Sequence, residues 1–395
     1  MGKARPAGAA GAAGPGGLRV GDARRAPGGA EALGLCGAGA GGGAEEAGVA
    51  LHGGGVGWTG PLGEAAAAEL RVLGRHEGGV GGLARGGPPE AGAVLTSAGL
   101  DGTVRLWDPR QASAEAMRFA VPEKPPLFSC ATLFHSGKYL LAAGAPGAVH
   151  LFDGRMGHLR ALDESFGDDV TNVAFTGMPP GDRLLTGGED GAISLFKTEE
   201  ALRGAEDEAL VGTYQSEAPV RGLGIWRDYK LWWTTGNETL HLADWRGLLD
   251  EDAPTDKLMP SADFTLPRED AARAAKKAGV DALARIDYVV GCVYDTGLQR
   301  LMLAAGTSAG ALGLFPLSEK SQKVRQPVLV CPPGGRGHSS VVRGAQLSGA
   351  QRGALVTAGE DGRVCLWEAI DPSATAPGAG RERPAAKSGR GAQPY

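Results

Sequence analysis

Val94-Leu95-Thr96-Ser97-Ala98-Gly99-Leu100-Asp101-Gly102-Thr103-Val104-Arg105-Leu106-Trp107-Asp108 is the stretch on which the fold turns. It reads as two short strands joined by a tight turn. Asp-Gly suits a type I′ hairpin turn, whose two central residues both need positive φ. Beyond the turn Val104 and Leu106 alternate with Arg105, so one face of the second strand is expected to be buried. Trp107 closes the unit with a large apolar surface that can anchor a small sheet.

The pattern recurs. Leu184-Leu-Thr-Gly-Gly-Glu-Asp190-Gly191-Ala-Ile-Ser-Leu-Phe196 and Leu355-Val-Thr-Ala-Gly-Glu-Asp361-Gly362-Arg-Val-Cys-Leu-Trp367 keep the Asp-Gly turn and the closing aromatic. Two degenerate copies end at Phe152 and Phe315, with Pro146 and Ala309 where the turn Asp would stand. Trp107 to Phe152 is 45 residues and Phe152 to Phe196 is 44, the period of a four-stranded propeller blade. One such sheet cannot bury both faces, whereas a ring of them can, leaving only short protected edges.

The stretch ending Trp107-Asp108 resembles the core of a WD40 repeat. The resemblance implies a buried hydrogen-bonded set in each blade: a His before the first strand, a Ser or Thr in the second, the turn Asp, and the Trp. His76, Thr96 or Ser97, Asp101 and Trp107 match it in one repeat, and His338, Thr357, Asp361 and Trp367 in the last. Asp190 and Phe196 hold the corresponding turn and closing positions between them. Such a network stabilises only if every polar member is satisfied. Three further stretches, 168–175, 206–211 with its continuation to Trp226, and 286–294, resemble one particular member of the family.

The expected fold is therefore an all-β, seven-bladed WD40 β-propeller over residues 45–370, with a terminal strand completing the last blade. The count of seven includes a first blade with its middle hairpin around 49–58 and a fifth around 220–249 carrying Trp232, Trp233 and Trp245. Without the first it is six. Residues 1–44 are rich in Gly, Ala and Pro and 371–395 are polar and weakly basic. Both are expected to be disordered tails, since neither can bury enough apolar surface to offset the entropy of ordering. Residues 268–284 are rich in helix formers and read as a short helix on a connector.

The net charge of −5 argues against nucleic-acid binding by the propeller body. Five cysteines without Cys-x-x-Cys spacing suggest reduced thiols in cytoplasm or nucleus and no zinc site, and no segment has the ~18 apolar residues of a membrane span. Gly306-Thr-Ser308-Ala-Gly310 fits a serine-hydrolase elbow, but that elbow needs a strand-turn-helix context, and Ser308 lies between two strand patterns, as in a hairpin turn. Gly37, Gly39 and Gly42 match a dinucleotide fingerprint without the strand that should precede it. The histidines do not cluster at metal-ligand spacing. No catalytic residue, cofactor, metal or small-molecule substrate is expected.

The acidic runs 199–208 and 250–256 read as solvated loops between blades. The partners expected are other proteins. Trp107-Asp108-Pro109-Arg110 resembles the box by which some WD40 proteins bind the adaptor of cullin-4 ubiquitin ligases, with Asp108 and Arg110 as the contact residues. Phe152-Asp153-Gly154-Arg155 is a poorer copy, offering Asp153 and Arg155. The competing reading is that Asp and Arg simply end a strand. A ribosome-assembly or RNA-associated scaffold is a third reading, resting on the weakly basic tail.

Overall fold

A computed structural model describes residues 19–25, 32–36, 47–51, 55–60, 69–86, 94–108, 110–111, 115–135, 137–176, 182–227, 229–246, 260–295, 298–335, 337–348 and 354–369. Five antiparallel four-stranded sheets follow one another along the chain. The first comprises Ala32–Cys36, Ala47–Leu51, Gly55–Gly60 and Glu69–Arg75. The second comprises Val80–Gly86, Val94–Gly99, Thr103–Trp107 and Glu115–Ala120. The third comprises Ser129–His135, Lys138–Ala145, Ala148–Asp153 and Gly157–Leu162. The fourth comprises Val170–Thr176, Arg183–Gly188, Ala192–Lys197 and Leu210–Gln215. The fifth comprises Val220–Arg227, Lys230–Thr235, Leu240–Asp244 and Pro260–Phe264.

The sixth sheet is different. It has nine strands, so the described residues form six sheets rather than seven separate blades. Its order begins with Tyr288–Asp295, Arg300–Gly306, Leu312–Ser318 and Leu329–Cys331, and ends with Val364–Ala369, Ala354–Gly359 and Val342–Ser348. Arg19–Arg25 lies between the two runs, antiparallel to Val364–Ala369 and parallel to Leu329–Cys331. The short strand Lys323–Val324 pairs alongside Leu312–Ser318. One strand from the start of the chain thus merges what the repeat pattern divides.

The propeller also begins earlier than residue 45. Arg19–Arg25 and Ala32–Cys36 already pair within sheets. An added strand gains backbone hydrogen bonds from its neighbours whatever its side chains, so a Gly/Ala-rich composition does not exclude it. The expected hairpin near 49–58 is present as Ala47–Leu51 against Gly55–Gly60, with Gly48 opposite Trp58. The fifth sheet extends past the expected 249 to Phe264. Residues 371–395 and the glycines at 37, 39 and 42 lie outside the described residues.

The first strands of successive four-stranded runs touch in order around a ring, and Val342–Ser348 touches Ala32–Cys36 to close it. Crowding at this inner circle explains the glycines there. A Cβ on Gly81 would lie 2.0 Å from the Leu127 carbonyl oxygen, and one on Gly82 would lie 2.6 Å from Ser129 Cα. The apolar cores lie between neighbouring sheets: Val104 and Leu106 pack with Leu141 and Phe152, and Leu185 and Ile193 with Trp233 and Trp245. Burying both faces of each sheet in this way is what one blade alone cannot do.

Residues 268–284 do not form a solvated connector. Helix Pro267–Lys277 and the single 3₁₀ turn Asp281–Leu283 dock on the molecule, with Ala271, Ala275 and Leu283 fully buried beside Phe315. Pro at the first turn and Lys276 and Lys277 in the last suit a helix of this polarity. The acidic run 199–208 is likewise part of the architecture. It forms helices Thr198–Arg203 and Glu206–Ala209, and buried Glu206 accepts the backbone N–H groups of Asp163 and Ser165. The run 250–256 lies outside the described residues.

Candidate partner-binding site

Strands alternate in direction, so each sheet presents its second-to-third turn on one rim, here the upper, and its third-to-fourth connection on the lower. The polar residues singled out by sequence divide between them.

On the upper side of the second sheet Trp107 Nε1–H donates to Ser97 Oγ at 2.8 Å, and Ser97 is 2.6 Å from His76 Nε2. His76 Nδ1 stands 3.0 Å from Asp101 Oδ1. A carboxylate can only accept, so Nδ1 carries the proton and Nε2 accepts from the serine hydroxyl. Asp101 also accepts from the Thr103 hydroxyl at 2.7 Å, the Glu77 N–H at 3.0 Å and Arg105 Nη2 at 2.9 Å. Burial opposes ionisation of Asp101, but hydrogen bonds from Thr103, His76 and Glu77 outweigh it and hold the carboxyl well below the usual carboxylate range. Burial pushes the His76 imidazole down, against the pull of Asp101.

The last repeat repeats the chain. Trp367 Nε1–H donates to Thr357 Oγ1 at 2.7 Å, Thr357 lies 2.7 Å from His338 Nε2, and His338 Nδ1–H points to Asp361 Oδ1 at 3.0 Å. Asp361 also accepts the Ser339 N–H at 2.8 Å.

Between the two candidates in the second sheet, Ser97 makes the network and Thr96 does not. Thr96 Oγ1 accepts from Thr132 Oγ1 at 2.6 Å, tying the second sheet to the third, because adjacent strand residues face opposite sides. Asp190 and Phe196 do not join such a chain either. Asp190 accepts the Ala192 N–H at 2.9 Å, and Phe196 packs against Phe166 with ring centroids 5.7 Å apart. Asp287 supplies an inverted version that the repeat pattern hides. Its carboxylate, on the loop before Tyr288–Asp295, accepts both the N–H and the hydroxyl of Ser308 at 2.8 Å. Ser308 thus sits in a hairpin turn between two strands.

On the lower rim Asp108 is buried while Arg110 is exposed, and the two form a closed clip. Arg110 Nε and Nη2 donate to the two carboxylate oxygens at 2.8 Å each, with the Arg110 N–H at 3.1 Å and Gln111 Nε2 at 3.1 Å. The Arg110 side chain, foremost, holds the Asp108 carboxyl below its ordinary range. Asp153 and Arg155 are not forked together. Asp153 accepts the Arg155 N–H at 2.7 Å and pairs with Lys138 at 3.5 Å, while Arg155 Nη2 donates to the Gly137 carbonyl at 3.0 Å. A third Asp-x-Arg turn, missed in the sequence, is Asp244-Trp245-Arg246, where Arg246 Nε donates to Asp244 Oδ1 at 2.9 Å. Its signal was available only as spacing, since no Trp-Asp or Phe-Asp pair marks it.

Two histidines that looked scattered are also brought together. His150 Nδ1 lies 3.1 Å from His158 Nε2 across adjacent strands. Burial, then the neighbouring imidazole, pushes His150 down to about 4 from its ordinary 6.5. The unfolded chain therefore takes up this proton first, and stability is lost as pH falls from about 6.5 toward 4. His150→Phe is expected to flatten that part of the stability profile, read as the Tm at pH 7.5 against pH 5. An unchanged slope would contradict it. Among the described residues no group of three His, Cys, Asp or Glu is placed to hold a metal, and no helix is long and apolar enough to cross a membrane.

An antiparallel ring of four-stranded units with Trp–Ser/Thr–His–Asp chains defines a WD40 β-propeller, and the chain belongs to the WD40-repeat family. It matches the family described as "WD domain, G-beta repeat" over residues 68–108. It is 33% identical over 295 residues to WD repeat-containing protein GTS1 of Arabidopsis thaliana, covering 71% of this chain and 68% of that protein. It is 23% identical over 277 residues to the WD repeat-containing protein 89 homolog of Dictyostelium discoideum, covering 69% and 68%. The latter is a homologue of the member, WD repeat-containing protein 89, that 168–175, 206–226 and 286–294 resemble. Among solved structures it is similar to the WD40 β-propeller domain of Doa1, with a TM-score of 0.58 at 10% identity over 89% of this chain and 97% of that one. A chain of the Mitotic Checkpoint Complex gives a TM-score of 0.56 at 15% identity over 82% and 87%. At these identities the structural likeness speaks for the fold alone.

Proposed function

We propose that this chain is a non-enzymatic scaffold that holds other proteins together in a multi-subunit assembly, in cytoplasm or nucleus. We read the nine-stranded sheet as two blades stitched by Arg19–Arg25, which makes a ring of seven. The observation that carries the reading is where the polar side chains are used. The His–Asp chains, the Asp287–Ser308 tie and the Asp108–Arg110 clip each fasten one turn to a blade. They therefore hold the loops of both rims on a rigid frame, which is how a repeat fold presents binding surfaces. Propellers of this family typically bind other proteins, which agrees.

The cullin-4 receptor reading keeps its support in Trp107-Asp108-Pro109-Arg110, and the exposed guanidinium of Arg110 stands at the rim. Its test is purification of the tagged full-length protein with quantitative mass spectrometry, beside an Asp108→Ala/Arg110→Ala variant. Scaffolding is expected to give a stable partner set retained by the variant. Recovery of cullin-4 and its adaptor with wild type only would replace that reading with the receptor. No stable partner at all would overturn both. The ribosome or RNA reading rests on 371–395, and undiminished RNA association after deleting that tail would remove its support.

A further inference from the structure

His150 and His158 stand side by side because of how two strands of the third sheet pair. His150 lies on Ala148–Asp153 and His158 on Gly157–Leu162. The register slips between Leu151 and Phe152, which places His158 opposite Phe152. His150 and Phe152 are alternate residues of one strand, so His158 shares their face. Its Nε2 reaches to 3.1 Å from His150 Nδ1, with ring centroids 5.3 Å apart. Both rings are held. Phe152 meets His158 edge-on at 5.2 Å, and Phe119 of the second sheet packs on Phe152 at 6.1 Å. His150 is buried, while His158 is half-buried and opens the pair to solvent. His76, His338 and His241 each face a carboxylate. Here imidazole nitrogen faces imidazole nitrogen, and a hydrogen bond between them uses only one proton for two lone-pair positions.

We propose that this pair binds a divalent transition-metal ion of the zinc class, through His150 Nδ1 and His158 Nε2, with water at its remaining positions. Nitrogens 3.1 Å apart can both reach one ion at the about 2.0–2.1 Å of a zinc–imidazole bond, with roughly 100° between them, close to tetrahedral. Imidazole is a ligand for zinc, copper and nickel, whereas calcium and magnesium prefer oxygen. Burial pushes both imidazoles toward the neutral form, which is the form that ligates. Ligation needs both facing nitrogens bare. The proton of the contact therefore moves to the other nitrogen of its own ring, and none is released. Asp163, just past the end of the His158 strand, lies near enough for its charge to act on His150 and adds attraction for a cation. Two protein ligands make an exchangeable site, unlike the closed four-ligand sites that hold structural zinc.

The test is isothermal titration of Zn²⁺ into the full-length protein at pH 7.5, in two buffers of different ionisation enthalpy. A saturable site is expected whose heat is the same in both buffers, since no proton leaves. Zinc on cysteine would displace thiol protons and make the heat depend on the buffer. His158→Gln is expected to weaken binding at least about tenfold, because losing even an outer-shell partner of a metal ligand costs about 10–100-fold. His241→Gln, in the fifth sheet, is expected to bind as wild type does. Cu²⁺ on the wild type gives a measurement independent of any variant, with two imidazole nitrogens expected in its electron paramagnetic resonance spectrum. No saturable binding, a buffer-dependent heat, equal losses in the two variants, or fewer than two nitrogens on copper would each overturn the proposal.

Discussion

Trp107→Ala is expected to destabilise the propeller by about 3–5 kcal/mol, as truncation of a large buried aromatic does. Trp107 is 1% exposed and packs edge-on to His76, with ring centroids 6.4 Å apart. Its indole also donates to Ser97, which bridges to His76 and so to Asp101. The substitution therefore opens a cavity and removes the first donor of the chain together. Trp107→Phe separates the two effects. It keeps most of the apolar volume and loses the N–H, so its cost is expected to fall well below that of the alanine variant. Equilibrium urea denaturation measures both, and equal costs for Phe and Ala would mean that packing at this position contributes little.

Asp361→Ala is expected to cost about 1–3 kcal/mol, the penalty of leaving hydrogen-bond donors, among them that of the buried His338, without their acceptor. The donors are His338 Nδ1–H, the Ser339 N–H and the Arg363 N–H, all on one carboxylate. Asp361→Asn retains an acceptor oxygen and is expected to cost less than alanine. A Tm for Asp361→Ala within error of wild type would contradict the network. The pair also sets a pH dependence. Burial opposes the Asp361 charge, but His338 and the Ser339 N–H hold its folded pKa below the ordinary value. Its contribution is therefore full above the unfolded carboxylate value, about 3.9, and is lost as pH falls through the folded one. Burial lowers the His338 pKa too, so the unfolded chain protonates there first and stability already falls as pH drops below about 6.5. Both effects run in the same direction, toward loss in acid.

What was legible in the sequence was what is local and periodic. Asp-Gly turns, alternation of Val104 and Leu106, and a closing aromatic at near-constant spacing specify a blade wherever they occur, because each is a short-range requirement of backbone and burial. The His76 and His338 chains were legible only through the resemblance to a WD40 repeat, which implies such a set around the turn. Even so, the sequence left Thr96 and Ser97 open, since only the strand's pleat decides which of two neighbours faces the indole.

Tertiary structure alone decided the rest. A terminal strand completing the last blade was expected, but that it is Arg19–Arg25, from within residues 1–44, and that it also joins the preceding run, follows from main-chain pairing, which leaves no trace in side-chain pattern. The helix at 267–277 was visible as a helix, but its docking depends on an apolar surface around Phe315 supplied by strands distant in sequence. His150 with His158, and Asp287 with Ser308, are pairs made by register and by turn placement. The closed Asp108–Arg110 clip is likewise a matter of side-chain geometry. A repeat encodes its own blade through local chemistry, whereas contacts between segments are set by where the closed ring brings them, and that depends on all the blades together.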